Sequence, residues 1–202
     1  MYKNYIFDFG NVLVRFCPIE LTKCVVKDEE DAKLITDVIF NPIYWEKLDS
    51  GEVTDSEARE RIVNSLPKEL AEAGGEVFDN WIKNMPPIYE MIEVVEKLKA
   101  DGKKLYILSN ISKGFAEKYQ DYPWIKELFS KFDGLVFSGV VGMIKPDKRI
   151  FEYILNKYHL NAEECLFIDD NENNVLSAKK VGINTYLFDG DAEKIKEFLW
   201  KV

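Results

Sequence analysis

"YIFDFGNVLV", residues 5–14, reads as a buried strand interrupted near its tip. Two aromatics and an isoleucine lead to Asp8, and an apolar run resumes at Val12. Between them, Phe9-Gly10-Asn11 has the composition of a tight turn. An open parallel sheet binds its ligands beyond the carboxyl ends of its strands. A carboxylate followed by glycine at such an end therefore raises a chemical question as well as a structural one.

Working outward, four more short apolar runs bounded by turn residues read as strands: "KLYILS" (104–109), "GLVFS" (134–138), "CLFID" (165–169) and "NTYLF" (184–188), after "YIFDF" (5–9). Amphipathic stretches lie between them. "IYEMIEVVEKLKADG" (88–102) ends at Gly102, a C′ glycine. "SKGFAEKYQDY", "KRIFEYILNKYH" and "NENNVLSAKKVG" repeat the helical pattern. This order predicts an α/β fold: a Rossmann-like parallel sheet with helices on both faces. From about Phe16 to Pro87 no strand is legible, and the pattern gives four or so helices, with Thr54 or Asp55 capping one of them. The expected organisation is a core of residues 1–15 and 88–202, with an all-helical cap at 16–87.

At 202 residues and 47% hydrophobic content, the chain can bury one core and a smaller appendage. A net charge of -9 argues against a general nucleic-acid or anionic-membrane binder. No apolar run is long enough to span a bilayer, and the N-terminus lacks a signal-peptide layout. Cys17, Cys24 and Cys165 are sparse, odd in number and without CxxC spacing. They are read as ordinary thiols in a reducing, cytoplasmic setting. The single His159 follows a helical pattern at a turn and has no zinc partners. Tyr44, Trp45, Trp81 and Tyr89 are expected to pack helices, with one or two of them lining a pocket.

The strand tips carry the chemistry. Asp8, Gly10 and Asn11 follow the first, Ser109 and Asn110 the second, and Asp169 and Asp170 the fourth; Lys145 precedes a helix in "MIKPDKRIF". Three carboxylates, a lysine and a serine on one edge suit an anionic substrate bridged by a hard cation such as magnesium. Adjacent acids such as Asp169-Asp170 repel each other unless a cation or a hydrogen-bond network offsets them.

"DFGNV" (8–12), "LSN" (108–110), "KPD" (145–147) and "FIDDNENN" (167–174), in this order, resemble the four motifs of the haloacid dehalogenase (HAD) superfamily of hydrolases. "DFGNVLV", "GMIKPDKRIF", "FIDDNENNV" and the cap stretch "LDSGEVTDSEA" further resemble a branch containing bacterial sugar phosphatases such as the α-D-glucose-1-phosphate phosphatases. The resemblance implies that Asp8 attacks phosphorus and forms an aspartyl-phosphate. Asn11, Ser109, Asn110 and Lys145 would contact the substrate, Ser109 through its hydroxyl and Asn110 mainly through its backbone N–H. Magnesium would be bound by Asp8, the Gly10 carbonyl and Asp170, and by Asp169 directly or through water. Asn174 would orient the acidic loop. The implied substrate is a small phosphorylated metabolite, preferably a sugar phosphate, handled by a monomer or dimer.

Gly10 departs from the pattern, since most phosphatases of this superfamily carry a second aspartate there that protonates the leaving group. The substitutes open at this stage are water, a cap residue such as Glu46 or Asp49, or the substrate itself. Two other readings compete with the phosphatase. A 2-haloacid dehalogenase also lacks the second aspartate, but Asp169-Asp170 would repel its carboxylate substrate. A phosphate-binding homologue with weakened catalysis would not require the intact set of Asp8, Ser109, Lys145 and Asp170.

Overall fold

Strands buried on both faces need a helical layer on each side, and the chain supplies both. The computed structural model describes residues 2–200. Its sheet contains β1 (Asn4–Phe7), β2 (Lys104–Ser109), β3 (Gly134–Phe137), β4 (Cys165–Asp169) and β5 (Asn184–Leu187). All pairings are parallel, in the order β3-β2-β1-β4-β5. Five helices follow β1: α1 (Pro18–Lys23), α2 (Glu29–Ile39), α3 (Pro42–Asp49), α4 (Asp55–Ser65) and α5 (Ala71–Asn84). The rest are α6 (Tyr89–Ala100), α7 (Lys113–Lys118), α8 (Pro123–Ser130), α9 (Ser138–Val141), α10 (Lys148–Tyr158), α11 (Glu172–Lys180) and α12 (Ala192–Trp200).

The two-residue period of a strand sorts the core. Tyr5, Phe7, Leu105, Ile107, Leu166 and Ile168 pack with Met91, Val95 and Leu98 of α6 and Leu128 of α8. Ile6, Tyr106, Leu108 and Phe167 pack on the other face with Ile150, Phe151 and Ile154 of α10 and Ala178 of α11. Each such fully buried side chain contributes roughly 1.5–3 kcal/mol. The helices after β1 have their own apolar cluster, in which Ile35 and Ile39 of α2 meet Leu48, Ile62, Val77 and Phe78. The two chain segments leading into and out of this insert pair with each other: Arg15 N–H donates to Pro86 O and Ile88 N–H to Leu13 O, both at 2.9 Å.

Some boundaries differ from the sequence expectation. β1 ends at Phe7 rather than residue 9, because the Phe9 carbonyl accepts from Leu13 and Val14 N–H and turns the chain out of the ladder. Ser138 opens α9 instead of closing β3, and its hydroxyl is engaged with the backbone of Ile111 and Asp49. The insert has five helices rather than about four; α1 is a six-residue helix with proline in its first turn. α8 and α12 were not anticipated.

Candidate active site

The register of the sheet brings the first two carboxylates together. Phe7 pairs with Ile107 on one side and Ile168 on the other. One step further, Asp8 N–H still donates to Ile168 O at 2.9 Å, so Asp8 emerges beside Asp169. Both follow the parity of Ile6 and Phe167, which is the α10/α11 side. Lys145, three residues before α10, lies above that face with its ammonium 5.5 Å from the Phe167 ring centre. It is 3% exposed and sits 2.8 Å from Asp8 Oδ1 and 2.7 Å from Asp169 Oδ2.

The partners of each group differ in ways that bear on chemistry. Asp8 Oδ1 accepts from Phe9 N–H at 2.7 Å as well as from Lys145, and among the described residues no protein donor reaches Oδ2. Asp169 is fully engaged: Oδ1 takes Asn171 N–H and Asn174 Nδ2, and Oδ2 takes Lys145 and Asn174. Asp170 accepts from Asn11 Nδ2 at 3.2 Å. Asn110 uses its side chain to grip the Lys145 peptide, donating to its carbonyl at 2.9 Å and accepting from its N–H at 2.8 Å. Ser109 is buried at the end of β2, and its hydroxyl makes no hydrogen bond to protein among the described residues. Asn11 holds a left-handed backbone, φ 54°, which asparagine tolerates better than most residues.

Electrostatics follow from this burial. Burial pushes the Asp8 carboxyl up to about 7; Lys145 opposes the shift and Asp169 adds to it. Burial also raises Asp170, with Asp169 contributing. Burial alone would lower the Lys145 ammonium, but Asp8 and Asp169 outweigh it and hold the group up and charged. Asp8, Asp169 and Asp170 each offer an oxygen within 4.8 Å of the others.

A cleft of about 290 Å³ opens above Asp8, with Ser109, Asn110, Lys145 and Asp170 in its floor. The helical insert supplies Phe16, Trp45, Asp49, Trp81 and Met85 as walls. Trp45 and Asp49 lie four residues apart on α3, hence on one helix face. The insert is clamped to the core beside them. Ser138 Oγ donates to Asp49 O at 2.6 Å and accepts from Ile111 N–H at 2.8 Å. Asp55 accepts from Ser112 Oγ and Gly114 N–H at 3.1 and 3.0 Å.

Of the residues expected from the sequence, Asp8, Gly10, Asn11, Ser109, Asn110, Lys145, Asp170 and Asn174 line this one cleft, and Asp169 lies beneath it. Thr54, not Asp55, caps α4: its hydroxyl accepts from Glu57 N–H and its own N–H donates back to the Glu57 carboxylate. Trp45 and Trp81 pack and also line the cleft. Tyr44 and Tyr89 do not pack as expected. They are 44% and 70% exposed, and Tyr44 stacks on the Arg61 guanidinium at 3.7 Å. The sequence reading missed Asn171, whose N–H holds Asp169, and Phe16; the run of asparagines after Asp170 was the available signal for the first.

A parallel sheet with this cluster at its carboxyl edge defines a hydrolase class, and the model of the haloacid dehalogenase-like hydrolases matches residues 2–182. The chain belongs to that family. It is 28% identical over 188 residues to a sesquiterpene phosphatase of Aspergillus oryzae, covering 90% of this chain and 87% of that one. It is 25% identical over 192 residues to a D-ribitol-5-phosphate phosphatase of Bacteroides thetaiotaomicron, covering 92% and 91%. A HAD family enzyme of Bacteroides thetaiotaomicron, solved in complex with magnesium and inorganic phosphate, superposes with a TM-score of 0.65 at 25% identity, over 92% of this chain and 93% of that one.

Proposed function

We propose that this protein is a magnesium-dependent phosphatase of small phosphate monoesters, with Asp8 as the nucleophile and residues 16–87 as a cap over the cleft. The observation that carries the reading is the state of Asp8. Its Oδ1 is fixed by Phe9 N–H and Lys145, and its Oδ2 meets no protein donor among the described residues and is left to attack. Attack on phosphorus gives an aspartyl-phosphate and splits one difficult step into two. Lys145 stays charged beside it and stabilises the phosphoryl oxygens, and Ser109 Oγ is unspent for the same purpose.

The donor set fits magnesium. Asp8, Asp170 and the Gly10 carbonyl are hard oxygen donors, and no hydrogen bond to that carbonyl is found among the described residues. Asp169 already accepts four hydrogen bonds, so it fits the water-mediated role better than direct ligation. Burial raises the carboxyls of Asp8 and Asp170, with Asp169 adding to both, and a cation held among the three acids would offset that cost. When bound, the ion neutralises charge on the transferring phosphoryl group. The same surplus of negative charge opposes a metal-free dehalogenase, whose carboxylate substrate would meet it directly.

The sugar-phosphate preference rests on resemblance. Phe16, Trp45, Trp81 and Met85 on the cap wall favour a second class beside it, phosphates of apolar alcohols, since the wall offers hydrocarbon contact and few hydrogen bonds. The test is phosphate release from a panel of sugar, alkyl and prenyl phosphates, with magnesium and with chelator, on wild type and Asp8→Asn. Magnesium-dependent release, lost in Asp8→Asn, is expected. Halide release from 2-chloropropionate without magnesium, and no phosphate release, would overturn the reading.

A further inference from the structure

Gly10 leaves the core without a carboxylate to move the proton of the leaving group. We infer that Asp49, carried in by the cap at the end of α3, is the general acid and base of the reaction; the inference rests on the phosphatase reading above. Three observations lead there. First, the core side of the cleft holds no uncommitted proton carrier. Asp8 is the nucleophile, Asp169 is fully bonded, Asp170 is bonded to Asn11, and Lys145 lies between two carboxylates. No histidine, cysteine or tyrosine lines the cleft among the described residues, and Asp49 is its one further acid. Glu46, the neighbouring acid of α3, is exposed and does not line this cleft.

Second, Asp49 walls the cleft that opens over Asp8. It shares a helix face with Trp45, which walls the same cleft. Third, its backbone is anchored. Ser138 holds the Asp49 carbonyl, and Gly51, at φ +76°, lies flat on Gly139, where a Cβ would come within 2.5 Å of Gly139 O. The Asp49 carboxyl itself makes no hydrogen bond to protein among the described residues. Burial pushes it up to about 8, with Asp8, Asp55 and Glu46 adding and Lys145 opposing, a range that suits a group that both gives and takes a proton.

In the first step, Asp8 Oδ2 bonds to phosphorus and the P–O ester bond breaks. The bonding pair goes to the leaving oxygen, which takes the Asp49 proton. In the second, Asp49 accepts a proton from water as the water oxygen bonds to phosphorus. The P–O bond to Asp8 then breaks and returns its pair to the carboxylate. The sum is ester plus water giving alcohol plus phosphate.

The experiment is rapid-quench release of the alcohol from n-butyl phosphate and from p-nitrophenyl phosphate, with magnesium. An alkoxide leaves poorly without a proton, whereas p-nitrophenolate needs little help. Asp49→Asn, with Asp49→Ser beside it, is expected to slow butanol release by about 10²- to 10⁴-fold. Nitrophenolate release should stay within about tenfold of wild type, and thermal melts show that the variants fold. A Cβ at Gly10 meets only Phe16 Cβ, at 3.9 Å, so Gly10→Asp has room to enter. Added to Asp49→Asn, it is expected to restore at least about tenfold of the butanol rate. Equal slowing of both esters, or unchanged butanol release, overturns the role of Asp49 while leaving the phosphatase standing. A wild type inert on both esters overturns both.

Discussion

Replacing Asp8, the nucleophile we propose, by its uncharged isostere is expected to stabilise the metal-free protein while abolishing turnover. The carboxyl of Asp8 moves from an ordinary value of 3.8 to about 7 on folding, chiefly because it is buried. A raised carboxyl contributes stability that is fully present below 3.8 and is lost as pH rises through about 7. At about 1.4 kcal/mol per pH unit, an ionised Asp8 costs the fold about 4 kcal/mol at pH 8. Relaxation and water entry reduce this, and about 2 kcal/mol is a working figure. In Asp8→Asn that cost disappears, and Lys145 keeps its 2.7 Å contact with Asp169. For a chain of this size the melting temperature should rise by about 4–8 °C at pH 8. At pH 5 the wild-type carboxyl is already protonated in the fold, and the gain should fall to about half or less. The assay is thermal unfolding of both proteins in chelator at pH 5 and pH 8. If Asp8→Asn melts lower than wild type by the same margin at both pH values, Asp8 is an ordinary ion-pair partner of Lys145, and the account of a charge held against its burial cost is wrong.

Gly51→Ala should cost about 1–3 kcal/mol in urea unfolding, from the left-handed backbone and the Gly139 clash together, and should slow alkyl phosphate turnover. Gly102→Ala, at φ +74° but in open space, should cost no more than about 1–2 kcal/mol and leave turnover unchanged; equal effects on turnover would refute the clamp. At the opposite edge of the sheet, burial alone would raise the Asp133 carboxyl. Leu105 N–H, Lys104 and Lys99 outweigh it and lower the carboxyl to about 2. That stability is present above 3.8 and lost as pH falls through about 2. Asp133→Asn should therefore cost about 1 kcal/mol at pH 7, after screening of the exposed lysines, and nothing near pH 2.

The floor of the site was legible because it is built locally. Asp8, Ser109 and Asp169 are set by where an apolar run ends, and a parallel register brings strand ends to one edge without further information. Lys145 was legible by its motif but not by its setting. Nothing in "KPD" shows that Asn110 holds its peptide from both sides, a contact across 35 residues. The resemblance made Asp170 a ligand and left Asp169 open between direct and water-mediated binding. Adjacent residues at a strand end point in different directions, so one is drawn inward to three donor groups and the other turns to Asn11 and the cleft.

The insert after β1 was legible only as helices. Which of its faces meets the core depends on contacts such as Ser138 to Asp49 and Asp55 to Gly114, each joining segments more than 50 residues apart between side chain and backbone. Such contacts leave no periodic trace in the sequence. Asp55 shows the difference: its position beside Thr54 suggests a helix cap, yet its carboxylate is spent on the core and Thr54 does the capping. The same docking turns Asp49 from one acid among many on a charged helical segment into the one carboxylate of the insert, among the described residues, that lines the cleft above Asp8. A missing side chain in the core motif was visible from the start. Its replacement depends on tertiary contacts, so the place to look for it is the clamp that fixes α3 over Asp8.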